Sequence, residues 1–143
     1  MMPKKFEDFL KLFVKDDFLE FEKKGKHYYL KNDSLRVEGF ENQSHSLVLG
    51  SEKGFFEPSL FLLELLSGRT KNKVFVNEEA EWLFLCGRNV FLDNILKDAS
   101  KEKVFLVQNE KDENLGLGIK TKVKGKKVIK NLLDRGDFLR REK

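Results

Sequence analysis

The chain has 143 residues, 40% of them hydrophobic, with 14 Phe and a formal net charge of +4. That is enough apolar material for a packed core in one medium domain or two small ones, which excludes a disordered chain despite 36% charged residues. No apolar run approaches the roughly 18 residues of a membrane helix, and the single cysteine excludes an internal disulfide or a thiolate metal framework.

Phe6, Phe9, Leu10, Phe13 and Val14 fall on one face of a helix beginning near Pro3. Acids interrupt its apolar pattern, so it is no signal peptide, and a cytoplasmic protein is the expectation. Short strands are predicted at Phe18–Glu22 and His27–Lys31, around a turn that includes Gly25. A further strand is expected at Leu35–Phe40, a polar connection at Glu41–Ser46 and an apolar strand at Leu47–Gly50. Pro58 and Ser59 open a helix with apolar residues on most sides, and Ser67-Gly68 stops it. Arg69–Lys73 is polar and basic, a candidate domain boundary.

Val74–Val76 opens the second half. Ala80–Cys86 reads as an alternating strand, with Cys86 a buried inert thiol, and Gly87-Arg88-Asn89 as the turn into a helix capped by Asn89. Lys103–Val107 is predicted as a strand, and Glu110–Asn114 as an acidic turn. In the strand that follows, Gly116 and Gly118 leave one face bare, open to close approach by another backbone or a ligand. Val128–Leu133 and Phe138–Arg141 are expected to pair around Asp134-Arg135-Gly136-Asp137.

Charge is uneven. Residues 120–143 hold ten basic and three acidic side chains, a net +7, which leaves −3 for the first 119. Such concentration suits a polyanion partner, although lysine runs are also common on solvated faces. Catalytic constellations are thin. His27 and His45 lack an ordered Ser or Asp arrangement, the two glycines belong to no dinucleotide fingerprint, and no carboxylate pair has an acid–base context. The residues point to a binder with no catalytic residues, metal, cofactor or small-molecule substrate.

Taken in order, AEWLFLCGRNVFLDNIL at Ala80–Leu96, VFLVQNE at Val104–Glu110, LGLG at Leu115–Gly118 and NLLDRGDFLRRE at Asn131–Glu142 resemble a PUA domain, a small RNA-binding β-barrel. With LVLGSEKGFFEPSLFLLELL upstream, joined through KVFV, nearly the whole chain is similar to the archaeal type of the Nip-seven family of ribosome-biogenesis factors. The resemblance implies an α+β protein: a small α/β domain at residues 1–72, with an antiparallel sheet and packed helices, then a PUA barrel at residues 73–143. It implies a non-catalytic factor assisting ribosome biogenesis or rRNA processing. Single-stranded or loop RNA, favouring uridine-rich regions, would be held by the PUA half, and assembly or processing proteins would meet the first half. The family's RNA contacts map onto Arg140, Arg141 and Lys143. Arg88, Lys120, Lys122, Lys124, Lys126 and Lys127 are further candidates. One rival reading is an RNA-targeting subunit or remnant of a methyltransferase or pseudouridine synthase, which would need a methyl-donor or catalytic-Asp motif that the chain lacks. Another is a protein adaptor whose basic tail meets an acidic partner.

Overall fold

The structure, a computed structural model, describes residues 2–16, 18–31 and 47–136. The predicted strand Leu35–Phe40 and the strand Phe138–Arg141 lie outside the described residues. The chain divides into two compact units, Met2–Leu66 and the residues from Ser67 onward.

The first unit is built on aromatic packing. Helix α1 (Phe6–Lys11) is shorter than its apolar stripe, which continues through a hydrogen-bonded turn to Phe13. Strands β1 (Phe21–Lys24), β2 (His27–Leu30), β3 (Val48–Glu52) and β4 (Phe56–Pro58) form an antiparallel sheet in sequence order. Phe6 is fully buried, with ring centroids 4.6 Å from Tyr28, 4.8 Å from Phe21 and 5.0 Å from Phe56. Each such pair adds about 0.5–1.5 kcal/mol beyond its burial. Helix α2 (Leu60–Ser67) starts where Ser59 Oγ accepts the Leu62 N–H at 3.1 Å and donates to the Val48 carbonyl at 2.6 Å, which ties the cap to β3.

One carboxylate joins helix to sheet. Glu52 accepts the Phe6 N–H at 3.0 Å and the Tyr28 hydroxyl at 2.8 Å, and Lys23 Nζ lies 3.3 Å away. The backbone donor at Phe6, then the Tyr28 hydroxyl, hold its pKa below the ordinary glutamate value.

The second unit is a six-stranded sheet in the order β6-β10-β9-β8-β5-β7. Its strands are β5 (Lys73–Val76), β6 (Val90–Phe91), β7 (Ile95–Asp98), β8 (Val104–Gln108), β9 (Asn114–Val123) and β10 (Lys126–Asp134). Among the described strands only β5 and β8 pair in parallel; the other neighbours are antiparallel. The edge strands β6 and β7 are consecutive in the chain, joined by the single 3₁₀ turn Leu92–Asn94. Three residues span at most about 10 Å, so the sheet curls until its edges nearly meet, giving an almost closed barrel. Its interior is filled by Val74, Val76, Ala80, Phe84, Val90, Phe105, Val107, Leu115 and Ile129. The fold is α+β, with a nearly closed β-barrel and a separate antiparallel sheet with helices.

Two consecutive segments, Ala80–Cys86 and the residues after Asn89, depart from the pattern expected from the residues alone. Ala80–Cys86 is not a strand but lies in and just beyond helix α3 (Glu78–Leu85). Asn77 caps it, its Oδ1 accepting the Ala80 N–H at 2.9 Å, and Glu78, Glu79 and Glu81 occupy the first turn. The alternation misleads because Ala80 and Phe84 are buried while Trp82 between them is 67% exposed, a period of four rather than two. Cys86, at the C-cap, is exposed and not buried. Asn89 caps no helix; its Oδ1 accepts the Asn131 N–H at 3.0 Å, and the following residues form β6, the 3₁₀ turn and β7.

A buried polar group holds the start of β9. Gln108, fully buried, donates to Ser67 Oγ at 2.8 Å and to Asp112 Oδ1 at 2.8 Å, while Asn114 Nδ2 donates to Gln108 Oε1 at 2.8 Å. Lys73 Nζ, on a side chain only 8% exposed, reaches both Asp112 carboxylate oxygens at 2.9 and 3.2 Å. Burial pushes the Asp112 pKa up, but the hydrogen bonds from Lys73 and Gln108 prevail and it is lowered.

Two outcomes are expected. Because Glu52 has its folded pKa below the unfolded one, its stabilisation is complete above the ordinary glutamate range of about 4.3. It is lost as pH falls through the folded value. Thermal melts across that window should show Glu52→Gln less stable than wild type at neutral pH, with the gap closing in acid. In the barrel, a Cβ at Gly118 would lie 2.6 Å from Ile129 Cγ2 and 3.0 Å from Val107 Cγ2. A Cβ at Gly116, where φ is 150°, would run into the Leu133 carbonyl oxygen. Gly118→Ala should therefore cost about 1–3 kcal/mol by overpacking. Gly116→Ala should cost more, since backbone must move, and denaturant midpoints will rank the two.

Candidate nucleic-acid interface

The basic residues singled out in sequence do not form one cluster. Strands β9 and β10 outrun their neighbours: β8 ends its pairing at Val104 opposite Ile119, and β6 ends at Phe91 opposite Val128. Residues 122–127 therefore extend past the barrel as a two-stranded ribbon. At its tip Lys124 and Gly125 have φ of 52° and 79°, the two positive values that a type I′ turn demands. The residues alone suggest a turn at Asp134–Asp137 and not this hairpin, whose signal is the Lys-Gly pair between alternating segments. Strand β10 instead continues to Asp134, and Arg135 and Gly136 are helical. Gly136 packs against the Leu85 carbonyl at the end of α3, which leaves no room for a side chain.

Lys122, Lys124, Lys126 and Lys127 are all exposed, and their side chains make no hydrogen bond or ion pair among the described residues. Lys122 and Lys127 are direct cross-strand partners. Directly opposed like charges destabilise a pair of strands. Lys124 adds a second local cost, since a side chain in the left-handed region is disfavoured by about 1 kcal/mol. The ribbon thus carries both a charge conflict and a strained cation, neither relieved within the described residues.

Lys120 behaves differently. Its Nζ lies 2.6 Å from Asp98 Oδ2 and 3.1 Å from Ser100 Oγ, with the Phe105 ring centroid at 6.0 Å. Burial pushes the Asp98 pKa up, but the hydrogen bonds from Lys120 and Ser100 outweigh it and the carboxyl is lowered. Strands β9 and β7 are not neighbours, so this ion pair spans the barrel mouth.

Arg88 is exposed in the turn after α3, with its N–H donating to the Leu83 carbonyl at 3.0 Å. The Asn89–Asn131 hydrogen bond sets this turn beside the irregular part of β10, on the same sheet edge as the ribbon. Asn131 lies four residues along β10 from Lys127, about 13 Å of strand rise. Gly116 meets the backbone of Leu133 and Asp134, and Gly118 meets core side chains. The space each leaves is occupied by the protein itself. Arg140, Arg141 and Lys143 lie outside the described residues.

Strand alternation brings together residues that the sequence reading keeps apart. Val90 and Ile129 point into the core, so their neighbours Phe91 and Val128 point outward. Lys126 and Lys130 share the outward face of β10 with Val128. By local pattern Phe91 is an apolar helix residue, and only its place in β6 turns it outward.

Replacing Lys122 with Glu should convert the opposed lysines into an ion pair. A gain of a few tenths to about 1 kcal/mol is expected, measured as a rise in denaturant midpoint. Lys124→Asn, better suited to the left-handed turn position, should act in the same direction.

Comparison with known proteins agrees with the fold of the second unit. A family model described as the UPF0113 PUA domain matches residues 72–143. The UPF0113 protein of Archaeoglobus fulgidus is 32% identical over 84 residues, covering 52% of this chain and 48% of that protein. The chain thus spans about half the length of this curated relative. A solved structure described as a conserved PUA domain protein from Thermoplasma acidophilum matches with a TM-score of 0.55 at 22% identity. That match covers 87% of this chain and 80% of the other, a likeness of fold.

Proposed function

The chain belongs to the UPF0113 PUA domain family, and from that premise we propose that it is a non-catalytic RNA-binding factor assisting ribosome biogenesis or rRNA processing. A PUA domain implies RNA binding at a general level. The finer reading is supported by the residues that resemble the Nip-seven family across both halves of the chain. RNA would be held by the second unit, through the ribbon lysines, Arg88, and Arg140, Arg141 and Lys143. Assembly or processing proteins would meet the first unit in the cytoplasm.

The observation that carries this reading is the ribbon, with its opposed Lys122 and Lys127 and its strained Lys124. A phosphate backbone would relieve the repulsion, and each phosphate bound would release condensed counterions. Lysine rather than arginine at these positions suits point-charge contact along a backbone more than bidentate readout of one base.

Full-length protein with Lys122, Lys124, Lys126 and Lys127 all replaced by Gln should keep its fold and lose RNA affinity. The slope of log affinity against log salt should flatten by about 0.7 for each single-strand phosphate no longer neutralised. Lys122→Glu should stabilise the protein and weaken RNA binding, two effects of opposite sign from one substitution. An unchanged affinity and slope in the Gln variant would remove the ribbon from the RNA site. Crosslinking in cells, with the attached RNA sequenced, tests the link to rRNA: crosslinks concentrated in pre-rRNA are expected, and their absence there would overturn the biogenesis role.

A further inference from the structure

We propose that Phe91 is a base-stacking platform for single-stranded RNA, with Lys126 and Lys130 holding the phosphates on either side. The proposal rests on the RNA reading above and gives it a specific contact surface.

Within β6, Val90 is 1% exposed and Phe91 is 53% exposed. An isolated exposed aromatic is ordinary, so the setting decides. Phe91 stands opposite Val128, and the diagonal positions on β10, two residues away in each direction, are Lys126 and Lys130. Directly opposed side chains sit about 5 Å apart and diagonal ones about 7–8 Å, within reach of long side chains. The ring is thus bracketed by two exposed cations on one face. Val128 beside it is buried, 2% exposed, and Val123, 44% exposed, extends the face toward the ribbon tip. No carboxylate occupies residues 119–123 of β9, residues 126–130 of β10, or β6, and the exposed Asp93 follows Phe91 in the 3₁₀ turn.

That combination is chemically selective. Bases stack on aromatic rings while cations track the backbone, and every base has a π-face, so such a surface tolerates sequence. In a duplex the base faces are stacked on one another and closed to a side chain, which restricts the surface to single strands, loops or ends. Phe has no polar group to read a base edge, so little discrimination among bases is expected. An acidic protein segment could neutralise the lysines but would have no particular use for an exposed ring between them.

The test uses the full chain, with oligouridine and oligoadenosine strands of equal length and a blunt RNA duplex as probes, each titrated at several salt concentrations. Phe91→Ala should weaken binding of both single strands about tenfold, leave the salt slope unchanged and leave duplex binding unaffected. Phe91→Trp should restore the single-strand affinity. Lys126→Ala with Lys130→Ala should instead flatten the slope, by up to about 0.7 for each lysine. Melting curves separate weakened stacking from unfolding. If Phe91→Ala unfolds, Phe91→Leu, which keeps apolar bulk without a π-face, should show the same selective loss. Single-strand binding that is indifferent to removal of the ring would overturn the platform. So would a wild-type protein that binds only the duplex, although RNA binding would then stand. A wild type that binds no RNA at any salt, but is retained by a poly-glutamate column, would overturn both the platform and the RNA reading.

Discussion

Strand β9 can cross the core between β8 and β10 because it has no side chain at Gly116 or Gly118. At Gly116 the backbone of Leu133 and Asp134 comes so close that a Cβ would collide with a carbonyl oxygen. At Gly118 the space belongs to Ile129, Val107 and Phe105. Most of the second unit follows from that approach. The bulge in β10 between Asn131 and Leu133 lies beside the glycines. There the Asn131 N–H donates to Asn89 Oδ1, and its Nδ2 donates to the Phe84 carbonyl at 2.8 Å. The helix end, the turn after it and the bulge are held as one piece.

A long β9 also separates two ends of different chemistry. Where it begins, Gln108, Asn114, Asp112 and Lys73 form a hydrogen-bonded polar group. Asn114 Oδ1 is the one buried side-chain oxygen or nitrogen without a partner among the described residues. Where it ends, Lys120 spans the barrel mouth to Asp98, and beyond it the lysines are exposed, their ammonium groups without partners among the described residues. A tightly bonded end and an electrostatically frustrated end on one strand suit a rigid base that presents a charged ribbon. Consistency at every level makes a stable fold, and departures from it gather where a surface is used.

The first unit follows another principle. Aromatic rings pack around Phe6 in its core, and Lys23, the Tyr28 hydroxyl and the Phe6 N–H meet at Glu52. A carboxylate that accepts a helix-terminal N–H and a tyrosine hydroxyl fixes where α1 meets the sheet. In so small a unit, with limited apolar area to bury, one such junction carries a large share of the geometry.

Much of this is legible in the residues alone. The apolar stripe of α1, the Ser59 cap of α2, the hairpin at Gly25, the strand Lys103–Val107 and the glycine pair each follow from local periodicity or turn chemistry, which a neighbour-by-neighbour reading can detect. The excess of charge after residue 119 needs only counting. What the residues could not decide were matters of non-local pairing. Ala80–Cys86 alternates like a strand, yet becomes helical because Asn77 caps it and Phe84 finds the core one turn after Ala80. Lys120 looks like its neighbours in a lysine run, but its ammonium is committed because Asp98, from a strand three places away in the sheet, lies across the mouth. Phe91 and Lys130 share a face only because β6 pairs with β10 in a register that no local pattern encodes. Periodicity determines which face a side chain takes within its own element; only the assembled barrel determines whether that face is core, closure or surface.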